Sequence, residues 1–301
     1  MKMLLVLLSM SIVFWNVENF YDYHNAGTGQ SDEEFSSTGA KHWTKKRFLA
    51  KCSAIAGTLF WIEDRIGDMP DIVAFEEVEN RRVLSGLLNE TALKKLDYHI
   101  IHYDSEDHRG IDVALIYRSS SLRPVMSFPV RLSGLQTRDI LFVGFVTGGG
   151  DSLLVSVNHH PSKYGGESSN DPRLAVAGRM VAVHDSLYTV GWHNQLAGGD
   201  FNDGPESPSS REIRESLICS ALPLYLRKEG TIRFDGRWEL IDLAFVTREL
   251  ELKTSMEILR PPFLTTRDAA HSGTKPLRTY SGPRYLGGVS DHYPILLRID
   301  L

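Results

Sequence analysis

The segment Ile72-Val73-Ala74-Phe75-Glu76-Glu77-Val78-Glu79-Asn80 runs four apolar residues straight into two adjacent carboxylates. Branched and aromatic residues in such a run suit a buried strand, whereas Glu76 and Glu77 are residue types that a core rarely takes in. A strand that ends in charge delivers its side chains to the rim of a sheet, where α/β folds bind their ligands. The arrangement recurs along the chain. Ile12-Val13-Phe14-Trp15 leads to Asn16 and Glu18, Leu153-Leu154-Val155-Ser156-Val157 to Asn158, His159 and His160, and Leu196-Ala197-Gly198-Gly199 to Asp200 and Asn202. Trp238-Glu239-Leu240-Ile241 reaches Asp242, and Gly287-Gly288-Val289-Ser290 reaches Asp291 and His292.

Apolar runs and turn signals predict strands at 11–17, 71–75, 98–103, 112–117, 140–145, 153–158, 195–199, 239–246 and 293–299. Phe48, Cys52, Ile55 and Leu59 share one helical face within 45–62, and Val176, Met180, Val183 and Leu187 share another within 172–187. Loop composition gathers at 27–39, 148–151, 162–170, 203–211 and 265–288, with no stretch biased enough to be a linker. The expectation is one α/β domain over 1–301, two packed mixed β-sheets flanked by helices.

A chain of 301 residues with 42% hydrophobic residues has ample material for such a core. Two cysteines, Cys52 and Cys219, cannot build a four-thiolate zinc site or a disulfide framework and read as buried free thiols. A net charge of −5 argues against sequence-blind gripping of long nucleic acid, although a local basic face would still attract phosphate. The apolar start after Lys2 resembles a leader, and Ser9-Met10-Ser11 a small-residue cleavage site. A cut there would leave only Ile12–Trp15 of the first strand. The expectation is an unprocessed intracellular chain, with a leader over 1–10 left open; the apolar stretch 3–15 is too short to span a bilayer.

Carboxylate and amide oxygens are hard ligands suited to Mg²⁺ or Mn²⁺, and His beside Asp gives an oriented proton donor. Together they describe metal-assisted hydrolysis of a phosphate ester. No phosphate-binding Gly-x-x-x-x-Gly-Lys-Ser/Thr loop, dinucleotide fingerprint, Gly-x-Ser-x-Gly or His-Glu-x-x-His occurs.

The ordered series Trp15-Asn16-Val17-Glu18-Asn19-Phe20, Phe75–Asn80, Arg109-Gly110-Ile111-Asp112-Val113-Ala114, Asn158-His159-His160-Pro161-Ser162, Gly199-Asp200-Phe201-Asn202-Asp203, Ile241-Asp242 and Ser290-Asp291-His292-Tyr293-Pro294 resembles the endonuclease/exonuclease/phosphatase superfamily. Arg278-Thr279-Tyr280-Ser281-Gly282 and Tyr285-Leu286-Gly287-Gly288 look most like a bacterial branch of it. The resemblance implies a DNase I-like four-layer α/β sandwich with its site at one end of the sheets. It implies Glu77 and Asn16 as metal ligands, with Glu18 or Asp291 reaching the ion directly or through water. Asp200 would orient or deprotonate the attacking water and Asn202 fix the water or a phosphate oxygen. Asp242 would hold His292, while His159 and Arg109 would meet the phosphate. Four carboxylates near one phosphate would repel it, so the ion is required and a chelator should abolish activity.

Three positions depart from the family pattern. Glu76 stands where relatives often have Gln and adds a negative charge; Leu243 follows Asp242 where many place a polar residue; His160 duplicates His159. Neighbouring strand residues face opposite ways, and the motif selects His159 for the site.

Each residue also has a plainer reading. Asn16 and Asn202 alone read as turn or cap residues, Asp242 as a buried salt-bridge acid, Asp291 as an Asx turn, and His159 and His292 as rim histidines. Those readings are independent and would all have to hold together. His99 and His102 face opposite ways on one strand, and Ser272-Gly273-Thr274-Lys275 lacks the companion motifs of a serine acylase. Lys41, Lys45, Lys46, Arg47 and Lys51 read first as a solvated helix face. Arg260, Arg267, Lys275, Arg278 and Arg284, near Asp291-His292 in sequence, are the better substrate-binding group.

The reading is a Mg²⁺- or Mn²⁺-dependent phosphoesterase, foremost a nuclease on DNA or RNA, monomeric and without a stable protein partner. The alternatives are a phosphatase or phosphodiesterase on an inositol phosphate, sphingomyelin or other small phosphoester, and an inactive phosphate-binding module.

Overall fold

A computed structural model describes residues 9–24, 30–132, 134–162 and 170–301. Its first sheet has the order Thr254–Ile258 (β13), Ile295–Asp300 (β18), Ser9–Phe20 (β1), Ile72–Val78 (β2), Asp112–Arg118 (β4), Tyr98–His102 (β3). The second runs Leu122–Val130 (β5), Ile140–Thr147 (β6), Ser152–His159 (β7), Gln195–Asp200 (β8), Asp242–Val246 (β12), Ile218–Cys219 (β9). Within each, one central pair is parallel, β1 with β2 and β7 with β8, and the other pairs are antiparallel. Two-stranded ribbons join Ile232–Phe234 (β10) to Arg237–Glu239 (β11), Thr265–Arg267 (β14) to Thr274–Pro276 (β15), and Tyr280–Ser281 (β16) to Arg284–Tyr285 (β17).

Strand alternation sorts the core into layers. Along β1, Ile12 and Phe14 join the core shared with the second sheet, while Val13 and Trp15 pack with Phe48, Cys52, Ile55 and Leu59 of helix α1 (Lys45–Ile66) and Leu84 and Leu87 of α2 (Arg81–Asn89). Thr44 caps α1 at its start, and Gly67 in the left-handed region ends it. On the far face of the second sheet lies α3 (Asn170–Thr189), its Val176 and Met180 buried. His184 ties it down through Ser156 Oγ (2.9 Å) and Gln195 Oε1 (2.6 Å), a buried bridge from helix to β7 and β8. Two short helices, α4 (Pro208–Ile213) and α5 (Leu222–Leu226), follow. This is the four-layer α/β sandwich expected from the sequence, and both cysteines are buried and free. No helix among the described residues is long and apolar enough to cross a membrane.

The sheets come close where Phe14 meets Gly198. A Cβ at Gly198 would lie 2.4 Å from the tip of the Phe14 ring, so only glycine lets that ring reach β8. Gly198→Ala should therefore destabilise the fold by about 1–3 kcal/mol through overpacking. Chemical denaturation of the single variant and of Gly198→Ala with Phe14→Leu checks this; the smaller second side chain should recover part of the loss.

Several expectations need correction. The strand expected at 239–246 is broken at Leu240 and Ile241, so Asp242 opens β12 rather than closing a strand. Because β12 is antiparallel to β8, its first residue still pairs with Asp200 at the same sheet end. The segment 287–290 before Asp291 is not a strand; Asp291 and His292 precede β18, antiparallel to β1. β5 and β13 were not foreseen. β5 carries Pro124 and Pro129, which only an edge tolerates, and β13 is a short, polar edge strand. Lys51, assigned to a solvated helix face, is buried. Ser9, Met10 and Ser11 pair with Asp300, Ile299 and Arg298, so a cut there would strip sheet residues. The rest of the proposed leader (1–8) and parts of two loops (27–29, 163–169) lie outside the described residues.

Candidate active site

Both acid-bearing strands end in irregular backbone. The β1–β2 register shifts between Asn16 and Phe20 and the β2–β4 register between Glu76 and Val78, while Glu18, Asn19 and Glu77 adopt φ of 48°, 52° and 62°. Left-handed backbone at non-glycine residues is costly and marks places where a chain re-aims side chains. Here it lets Glu77 Oε2 accept the Asn19 N–H at 2.8 Å, with Arg109 Nη2 at 3.4 Å. Arg109 also donates to Asn19 Oδ1 at 2.7 Å. Gly199 (φ 131°) serves the same rim: a Cβ there would lie 2.1 Å from the Asn158 carbonyl oxygen and 2.8 Å from Glu76 Oε1.

Asn16, Asp200, Asp242, His292 and His159 meet between the sheet ends. Asn16 Nδ2 donates to Asp200 Oδ2 at 3.0 Å and its Oδ1 accepts the Glu18 N–H at 2.9 Å. Asp200 Oδ1 accepts the Asn202 N–H at 2.8 Å, made possible by Asn202 at φ 52°, and Asn202 Nδ2 donates to the His160 carbonyl at 2.9 Å. His292 Nδ1 lies 2.9 Å from Asp242 Oδ2, which also accepts the Thr231 hydroxyl. Its Nε2 looks towards Asp200 Oδ2 at 3.9 Å, and His159 Nε2 lies 3.6 Å from the same oxygen. Backbone anchors hold His292 in place: Trp15 Nε1 donates to its carbonyl at 3.1 Å, and Ser290 Oγ accepts its N–H while donating to the Asn16 carbonyl. His160 turns away, its ring 4.6 Å from that of Phe201.

The fields of these groups sort their charges. Burial alone would discharge His292, but Asp242 and Asp200 outweigh it and raise its pKa well above the usual range, so the ring carries a proton on both nitrogens. His159 moves the opposite way, lowered well below by burial and by Arg138 and Arg109. It stays neutral and accepts from Arg138 Nη2 at 3.1 Å through Nε2. Burial and then the Asp242 charge push Asp200 up to about 7. Glu77 stays below its usual value because Arg109 and Arg138 overcome its burial. Glu76 is raised well above by burial, Asp242 and Asp200, and neither of its oxygens finds a donor among the described residues. Burial and these neighbours thus work against the extra negative charge expected of it.

Hard-cation chemistry fits this donor set. Glu77 is ionised, and no described donor reaches its Oε1, which leaves that oxygen to a ligand. Asp200, Asp242 and His292 also offer atoms within 4.8 Å of one another, but His292 Nδ1 is spent on Asp242 and its ring is protonated, the state in which imidazole does not bind metal. A second group is His102 at the end of β3, Asp104 in the loop after it and Asp112 at the start of β4, where His102 Nε2 is 3.0 Å from Asp112 Oδ2. His99 faces outward and stacks on Tyr117.

Three charged participants were not read from the sequence in these positions. Arg138, ahead of β6, reaches His159 because β6 runs antiparallel beside β7; Asp107 Oδ2 lies 3.5 Å from Arg138 Nε. Lys51 donates to the Glu18 carbonyl and to Thr279 Oγ1. A buried-facing Arg before an antiparallel strand, and a Lys at a core position of an α1 heptad-like face, were the available signals. Arg278, placed in the loose basic group near Asp291, does reach the site; Arg47 instead stacks on Tyr285 and Lys41 bonds the Gly282 carbonyl.

Next in sequence to Asp242, Ile241 helps line a groove of about 560 Å³ with Gly204, Tyr225, Leu226, Lys228, Glu229, Trp238 and Glu239. The Arg260 guanidinium lies 5.7 Å from the Trp238 ring, which itself stacks on Tyr293, the neighbour of His292.

Two sheets whose facing ends bring carboxylates, an amide and a carboxylate–histidine pair together define a DNase I-like phosphoesterase scaffold. The chain belongs to the endonuclease/exonuclease/phosphatase family, whose description its residues 11–301 match. Solved structures agree on the fold. Truncated Caenorhabditis elegans TDP2 superposes with a TM-score of 0.62 at 15% identity, covering 98% of both chains. The human Nocturnin catalytic domain with bound sulfate gives 0.59 at 13%, covering 96% of this chain and 93% of that one. A Bacteroides thetaiotaomicron mannosyl-6-phosphatase gives 0.59 at 16%, covering 96% and 98%. No curated protein matches the chain by sequence.

Proposed function

We propose that the chain is a divalent-metal-dependent phosphodiesterase acting on nucleic acid. The observation that carries this reading is the line Asp242–His292–Asp200–Asn16 beside an ionised Glu77, with a groove that holds Tyr225, Trp238 and Lys228 nearby.

Glu77 would hold the ion, with Asn16 next to it, and a bound ion supplies a Lewis acid for a phosphate oxygen. Asp200, with a pKa near neutrality, accepts a proton from water, and the Asn202 N–H and Asn16 amide fix its carboxylate for that task. Protonated His292 faces the charge that develops on the ester oxygens and can give its Nε2 proton to the leaving oxygen. Neutral His159 keeps the Arg138 guanidinium aimed at the same region, and Arg109 adds a positive contact. The groove gives room for the second substituent that a diester carries and a monoester lacks. Trp238 and Tyr225 offer ring faces for bases and Lys228 a cation for backbone phosphate, while Arg260 is held by Glu229 Oε2 at 3.1 Å.

Rates on duplex DNA, single-stranded DNA, RNA, bis(p-nitrophenyl) phosphate and p-nitrophenyl phosphate, with Mg²⁺, Mn²⁺ or chelator, test the reading. The expected ranking is diester above monoester, with activity abolished by chelator and restored by added Mn²⁺. A monoester preference would replace the phosphodiesterase by a phosphatase, for which the Bacteroides mannosyl-6-phosphatase is the structural precedent. Chelator-resistant turnover would sink the metal requirement.

A further inference from the structure

Glu18 and Asp291 share with Glu77, the proposed ion ligand, the field of Lys51, and two carboxylates that close would ordinarily draw a divalent ion of their own. The space between them is filled by the Arg278 guanidinium. Its Nε and Nη2 donate to Glu18 Oε1 at 2.9 and 2.7 Å, and Nη2 lies 3.0 Å from Asp291 Oδ2. Glu18 Oε2 takes the Thr279 N–H at 3.0 Å, so both oxygens of this buried carboxylate are engaged. Beneath them Lys51 bridges the Glu18 carbonyl and Thr279 Oγ1 and lies in the field of Glu18, Glu77 and Asp291 together.

We propose that Arg278 stands in the place of a second metal ion, making this a one-ion centre in which the guanidinium positions Glu18 and Asp291. The inference rests on the metal-dependent reading above. Charge balance supports it. Lys51, Arg109, Arg138 and Arg278 already stand against the three carboxylates Glu18, Glu77 and Asp291. One divalent ion then leaves an excess that an anionic phosphate ester neutralises, whereas two would leave a positive surplus in a buried pocket. Arginine suits the task because its planar fork holds two carboxylates at fixed angles and does not lose its proton.

The test is Mn²⁺ binding to the full chain, followed by isothermal titration and by the loss of free-Mn²⁺ paramagnetic resonance signal. Wild type should bind one ion per chain up to millimolar Mn²⁺. Arg278→Met should bind two, the added one through Glu18 and Asp291, and Arg278→Lys should stay at one because it keeps the charge. Arg278→Gln serves if the Met variant does not fold. Two ions in wild type, or one in a folded neutral variant, would overturn the proposal. These readouts need no turnover: one ion in an enzyme inactive on every phosphoester would refute the function while leaving Arg278's role standing, and an active two-ion wild type would do the reverse.

Discussion

Replacing His292 with alanine is expected to lower kcat by about 10²–10⁴-fold, the usual range for losing a general acid, while Mn²⁺ affinity stays near wild type. The ring is spent on Asp242 through Nδ1 and faces the Asp200 side of the pocket through Nε2, so it contributes a proton and a charge rather than a metal bond. Asp242→Asn is the sharper variant. It retains an oxygen that can accept the Nδ1 proton but removes the negative charge that does most to hold the imidazolium. The His292 pKa must then fall, because burial opposes the charged ring and less now offsets it. Activity that needs protonated His292 is lost as pH rises through that pKa, so the alkaline limb of the pH–rate profile should move to lower pH. The ratio of wild-type to variant kcat therefore grows from pH 6 to pH 8.5. Parallel profiles would mean that Asp242 only orients the ring.

The parts of the site that were legible in the sequence are those a single strand announces. An apolar run that stops at Glu76-Glu77, or at Asp200 with Asn202 two residues on, tells where the backbone leaves the core, and those positions converge. Asp242 and His292 were reached for a different reason than the sequence suggested: Asp242 opens and His292 precedes an antiparallel strand, so an N-terminal end arrives at the rim that C-terminal ends of β1, β2, β7 and β8 also reach. What stayed hidden depends on pairing across the sheet. Arg138 gains meaning only once β6 is laid against β7, and Lys51 only once the 278–289 segment closes over α1. β5 was invisible because prolines at 124 and 129 erase the strand signal that an edge position forgives. The surroundings of Glu76 stayed hidden for the same kind of reason: its strand reads as ending in two acids, yet only Glu77 meets arginines, while Glu76 is enclosed beside Gly199.

Glu76→Gln is accordingly expected to stabilise the protein in a pH-dependent way and to change kcat by no more than a few fold. Glu76 is fully buried, without a donor to either oxygen among the described residues, and faces the fields of Asp242 and Asp200, so folding holds its proton well above the pH at which the unfolded chain, with a pKa near 4.5, releases it. A group raised in this sense contributes fully below the unfolded pKa, and its contribution falls as pH climbs towards the folded one. Over that window wild type loses about 1.4 kcal/mol per pH unit from this residue alone, the free energy of taking up a proton on folding. Glutamine occupies the same volume, is neutral at every pH and escapes the penalty; whatever its own unpaired amide costs is the same at pH 5 and pH 6.5. Urea unfolding of both proteins at those two values should show the variant's relative stability rising with pH by about that slope. A constant difference would mean that Glu76 is ionised in the folded state, and that a cation compensates it within the pocket. Unchanged turnover beside a widening stability gap would locate the cost of this carboxyl in folding and remove it from the chemistry.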